Sequence, residues 1–75
     1  MKSKGYNGHR SWNAWNVSLW INNDEGLYRW AVDLVTSHGR GRAATVMARD
    51  LEGQKTPDGA SYNRTCIYEA MVGME

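Results

Sequence analysis

Glu25-Gly26-Leu27-Tyr28-Arg29-Trp30-Ala31-Val32-Asp33-Leu34-Val35-Thr36-Ser37-His38-Gly39 decides the fold class. Within it Leu27, Trp30, Ala31, Leu34, Val35 and His38 recur at i, i+3, i+4, i+7, i+8 and i+11, which places them along one side of an α-helix. Arg29 and Asp33 are spaced for an i,i+4 ion pair on another side. The preceding Asn22-Asn23-Asp24 supplies short polar side chains that cap a helix, with Glu25 in the first turn where negative charge suits the dipole. Ser37-His38-Gly39-Arg40-Gly41 closes the segment, with Gly39 as the residue able to turn the chain out of the helix.

On the N-terminal side, Ser11 caps a first helix on which Trp12, Trp15 and Leu19 fall at i, i+3 and i+7. Val17, Trp20 and Ile21 lie on its other sides, so this helix is apolar nearly all round apart from Asn13, Asn16 and Ser18. On the C-terminal side, Arg42 to Leu51 form a third helix with Ala44, Met47, Ala48 and Leu51 inward, ended by Gly53. Thr56-Pro57-Asp58-Gly59 reads as a turn, followed by a segment that could be extended. Asn63 or Thr65 caps a last helix carrying Ile67, Ala70, Met71 and Met74. The expectation is an all-α fold, a compact bundle of about four short helices, with an α fold bearing a small C-terminal hairpin as the alternative. Its expected core is Trp15, Leu19, Leu27, Trp30, Leu34, Met47, Leu51 and Ile67.

The chain has 75 residues, 41% hydrophobic and 23% charged, enough for one small domain. Residues 1–10 read as an N-terminal arm, tied down at most by Tyr6, and residues 11–75 as the domain. No apolar run approaches the roughly 20 residues needed to cross a bilayer, and the basic start has no apolar region behind it, so membrane and secretory readings fall away and the cytoplasm is the default compartment. A net charge of +1 is too balanced for a protein whose whole surface binds nucleic acid.

Three stretches carry a resemblance: Tyr6-Asn7-Gly8, then Trp15-Asn16-Val17-Ser18-Leu19-Trp20-Ile21-Asn22-Asn23-Asp24-Glu25-Gly26-Leu27-Tyr28, then Thr56-Pro57-Asp58-Gly59. They resemble a family of small uncharacterised proteins of bacteriophages, plasmids and bacterial genomes, which share a "TWNVxLWIxNDExLY" core and a "TPDG" turn before a terminal helix. Ala14 stands where Thr is common, and the middle segment is short. The resemblance implies a mobile-element setting and a compact helical fold, and it implies no activity.

Catalytic chemistry finds no support in the residues, and the chain reads as a non-enzyme. Cys66, His9 and His38 lie on separate segments without an oxyanion turn or an orienting third group, and Asp24 and Glu25 point about 100° apart on a helix start. With one cysteine and two histidines, no metal-ligand spacing exists, and no cofactor is expected. Binding is the reading that remains. Four Trp and four Tyr exceed what so small a core can enclose, and these residue types dominate interfaces. Trp20, Tyr28, Asn23 and Val17 are therefore the candidate contact residues for a host protein, in the manner of an inhibitor of host defence; a first helix that buries both faces is the competing reading. Two alternatives accompany it. Arg40 and Arg42, flanking Gly41 in a flexible loop, could enter an A·T-rich minor groove with help from Arg49. The chain could instead be a structural module that works as a homo-oligomer, such as a homodimer, with the apolar surplus of the first helix hidden in a two-fold interface.

Overall fold

The computed structural model describes residues 11–74 and shows four helices joined by short connections: α1 (Trp12–Asn23), α2 (Glu25–His38), α3 (Arg40–Asp50) and α4 (Arg64–Ala70). The expected arm, residues 1–10 with Tyr6, lies outside the described residues. Local chemistry sets the helix starts. The Ser11 hydroxyl accepts the Ala14 amide at 3.1 Å, the Asp24 carboxylate accepts Leu27 at 3.0 Å, and the Asn63 side chain accepts Cys66 at 2.9 Å. Each satisfies a first-turn N–H that has no partner within the helix.

Two connections are a single residue long. Asp24 donates its amide to the Trp20 carbonyl, which ends α1, and accepts from Tyr28 at 2.8 Å, which begins α2. Gly39 does the same between Val35 and Ala43, with φ of +86°, a conformation open to glycine at little cost. This corrects the reading of Arg40-Gly41-Arg42 as a loop. The break needs Gly39 alone, so all three residues belong to the first turn of α3, which starts two positions earlier than the sequence pattern suggested.

α1 packs against α4 and α2, and α3 against α2 and α4, while the α1 and α3 backbones do not approach closely across the bundle. Among the described residues no strand forms; the hairpin alternative reduces to one antiparallel bridge between Lys55 and Ser61, on either side of the Thr56–Gly59 turn. Among the described residues no helix is long and apolar enough to cross a membrane.

The core is built from small side chains: Ala14, Ala31, Ala43, Ala44 and Ala60 are fully enclosed together with Val17, Ile21, Met47, Ile67 and Met71. Met47, Leu51 and Ile67 are buried as expected, while Leu27, Trp30 and Leu34 are only partly buried and pack against the core from its rim. Trp15 and Leu19 are the correction. α1 turns Ala14, Val17 and Ile21 inward, and its expected Trp12, Trp15 and Leu19 side remains partly in solvent, Trp12 with 40% of its surface exposed. A helix apolar on every side gives periodicity nothing to choose between. Packing volume decides instead: the Ala14 side lets α4 and α2 approach closely, which two indoles at the same place would prevent. On α2, Arg29 pairs with Glu25 at 2.7 Å rather than with the expected Asp33; both side chains are largely exposed, so the pair contributes only tenths of a kcal/mol, on the order of 0.3–0.5.

Candidate functional site

Three arrangements of polar or aromatic side chains stand out. The first joins α1 to the Thr56-Pro57-Asp58-Gly59 turn. The turn closes on itself through Gly59 N–H to the Thr56 carbonyl and Thr56 N–H to the Ala60 carbonyl, both 2.8 Å. Asn16, 1% exposed in the middle of an apolar helix, accepts the Thr56 hydroxyl at 2.6 Å and donates to the Asp58 carboxylate at 2.9 Å. Trp20, one turn on, donates its indole N–H to the same carboxylate oxygen at 3.0 Å. One turn earlier, Asn13 accepts the Ser61 amide at 2.8 Å and donates to the Ser61 carbonyl at 2.9 Å and to Cys66 Sγ at 3.3 Å. Asn13, Asn16 and Trp20 therefore form a polar edge of α1 that holds the only segment between α3 and α4.

The donated bonds from Asn16 and Trp20 hold the Asp58 carboxyl below its ordinary pKa, against a smaller desolvation effect. The contribution of the charged form is accordingly complete above the ordinary value and is lost as the pH falls through the lowered one. The melting temperature of the parent should thus drop on acidification below about pH 4, and the drop should be smaller in Asp58→Asn, which has no proton to gain. Equal acid dependence in the two proteins would remove Asp58 from this role.

The second arrangement is the corner where α1 meets α2. Of the four expected contact residues, Val17 is corrected: it has no exposed surface and belongs to the core, because it shares the inward side with Ala14 and Ile21. Asn23 and Tyr28 are exposed, Tyr28 with 42% of its surface, and Trp20 is partly buried with its indole N–H fixed on Asp58.

The third arrangement lies on the other side of the bundle. Arg42 and Arg49, seven residues apart on α3, line an open hollow of about 450 Å³ with Gly41, Thr45, Val46 and Arg64 of α4. Arg64 donates from Nε to Thr45 Oγ1 at 2.8 Å and from Nη2 to the Gly41 carbonyl at 3.0 Å. Arg40 does not line the hollow but shares the Tyr68 ring with Arg64, whose guanidinium lies 5.5 Å from its centroid. The Arg40 guanidinium lies 4.3 Å from the Tyr68 ring centroid and donates to the Tyr68 hydroxyl at 3.0 Å, which docks the start of α3 onto α4. The structure thus brings Arg42 and Arg49 together, gives Arg40 a packing role, and adds Arg64. Arg64 was missed because its neighbours on α3 are about twenty residues away in sequence. The Asn13/Asn16 edge did leave a signal: two amides at i, i+3 in the first half of a helix that is apolar nearly all round.

Among the described residues no three metal-ligating side chains stand together. Cys66 is buried, His38 is exposed, and His9 lies outside the described residues. No curated protein and no solved structure matches the chain. A family model described as "Family of unknown function (DUF7249)" matches residues 2–75, nearly the whole length, and the chain belongs to that family.

Proposed function

We propose that the protein is a small, non-enzymatic binding protein of a phage or other mobile element, acting in the cytoplasm of the host on a host protein, as an inhibitor of host defence would, through the corner where α1 meets α2. The observation that carries this reading is Tyr28, 42% exposed in the first turn of α2, together with a Trp20 indole on α1 already fixed by Asp58. Aromatic side chains held in place before binding lose little conformational freedom on association, which is what makes them effective anchors.

Tyr28→Ala tests the proposal because the side chain stands outside the core and its loss should leave the melting curve within about 0.5 kcal/mol of the parent. With a host protein first captured by the parent, the variant should bind it at least about 30-fold more weakly, as loss of a central anchor does. Undiminished binding by Tyr28→Ala would remove the corner from the contact. A two-copy species in light scattering, dissociated by the same substitution, would assign the corner to a homodimer instead.

A further inference from the structure

We propose that the α3–α4 face is a second binding site, for the phosphodiester backbone of nucleic acid, with Arg42, Arg49 and Arg64 as the phosphate ligands. It is a different surface from the α1–α2 corner, since every residue lining it belongs to α3 or α4.

The geometry of α3 supports it. Seven residues at 1.5 Å each separate Arg42 and Arg49 by about 10 Å along one side of the helix, two turns with Thr45 and Val46 between them. Arg64 leans in from α4 and is held there by Thr45 and Gly41, so its guanidinium is positioned before any ligand arrives. Arg42 and Arg49 are exposed, neither makes an ion pair among the described residues, and no carboxylate lines the hollow. Nearby Glu52 belongs to a different hollow, which Ala48 and Tyr62 also line.

Three guanidiniums around a hollow without an acid form a local positive field that a net charge of +1 conceals. The planar forks of Arg42 and Arg49 match the paired oxygens of a phosphate, while Arg64, with Nε and Nη2 engaged by Thr45 and Gly41, adds its charge and its Nη1. The hollow is open and Val46 is the one aliphatic side chain lining it, which offers little to an acyl chain or the apolar face of a helix. An extended ligand carrying a phosphate at each repeat fits the two-turn spacing. The contacts reach backbone, so this is sequence-tolerant binding and differs from insertion of a flexible loop into a minor groove, which the helical Arg40-Gly41-Arg42 does not permit.

Fluorescence anisotropy with a labelled duplex DNA of about 20 base pairs tests it through the salt dependence of affinity. Three phosphate contacts predict a log–log slope near −2.7, about a 40-fold loss of affinity between about 50 and about 200 mM salt. Arg42→Ala/Arg49→Ala, in which both replaced side chains are exposed, should retain the parent's melting curve and bind with a slope near −0.9, about a 3-fold loss over the same range. Failure of the parent to bind the duplex at the lower salt overturns the proposal without reference to any variant. An unchanged slope in the double variant overturns it as well, and so does binding of the parent to vesicles containing phosphatidylserine without binding to the duplex.

Discussion

Ile21→Ala is expected to lower the free energy of unfolding by about 2–5 kcal/mol, while Leu19→Ala, two residues away on the same helix, should cost less than about 1 kcal/mol. Two residues are 200° apart around a helix, so the pair reports which side of α1 faces the bundle. Ile21 has no exposed surface and is among the largest fully enclosed side chains, whereas Leu19 is partly in solvent and stands apart from the core cluster. A domain of this size has little stability to spare, with totals of about 5–15 kcal/mol typical of larger ones, so Ile21→Ala should leave a substantial unfolded population. Urea denaturation of both variants measures the difference. A greater loss from Leu19→Ala would mean that α1 presents its Trp12, Trp15 and Leu19 side to the interior.

What could be read from the sequence divides along a physical line. Ser11, Asp24 and Asn63 were recognisable as caps because a cap is satisfied within three residues of itself. The α2 stripe was recognisable because its other sides are polar, although the enclosed residues proved to be Ala31 and Val35, with Leu27, Trp30 and Leu34 around the margin. For α1 no such contrast exists, and the choice of face followed from how closely neighbouring helices must approach, a property of the assembled bundle. Arg40-Gly41-Arg42 was misplaced for a related reason: two glycines suggested a loop, but Gly39 alone makes the turn, and the docking of Arg40 on Tyr68 places the next residues in a helix. The grouping of Arg64 with Arg42 and Arg49 depends on the packing of α4 against α3 and has no local signature.

The second large effect expected is at Asn16. Replacing it by Ala should destabilise the protein by about 1–3 kcal/mol, because the buried Thr56 hydroxyl loses its acceptor and is left unsatisfied in the interior, whereas water can replace the donor lost to the exposed Asp58. Thr56→Val alone should also be destabilising, since the same hydroxyl accepts the Ala60 amide at 3.0 Å and keeps the turn closed. The informative quantity is the combination. If the 2.6 Å bond between Thr56 and Asn16 is the link that fastens the turn to α1, the double variant should fall short of the sum of the single losses by about 1–2 kcal/mol. Additivity to within about 0.5 kcal/mol would show that the two residues act separately. Coupling would give the spacing between Asn16 and Thr56 a mechanical meaning: a 40-residue separation in the chain is closed by one side-chain amide, and the same amide shares Asp58 with Trp20. Trp20 should then lose its fixed orientation in Asn16→Ala even where the helices persist, an outcome readable as a change in tryptophan fluorescence below the unfolding transition.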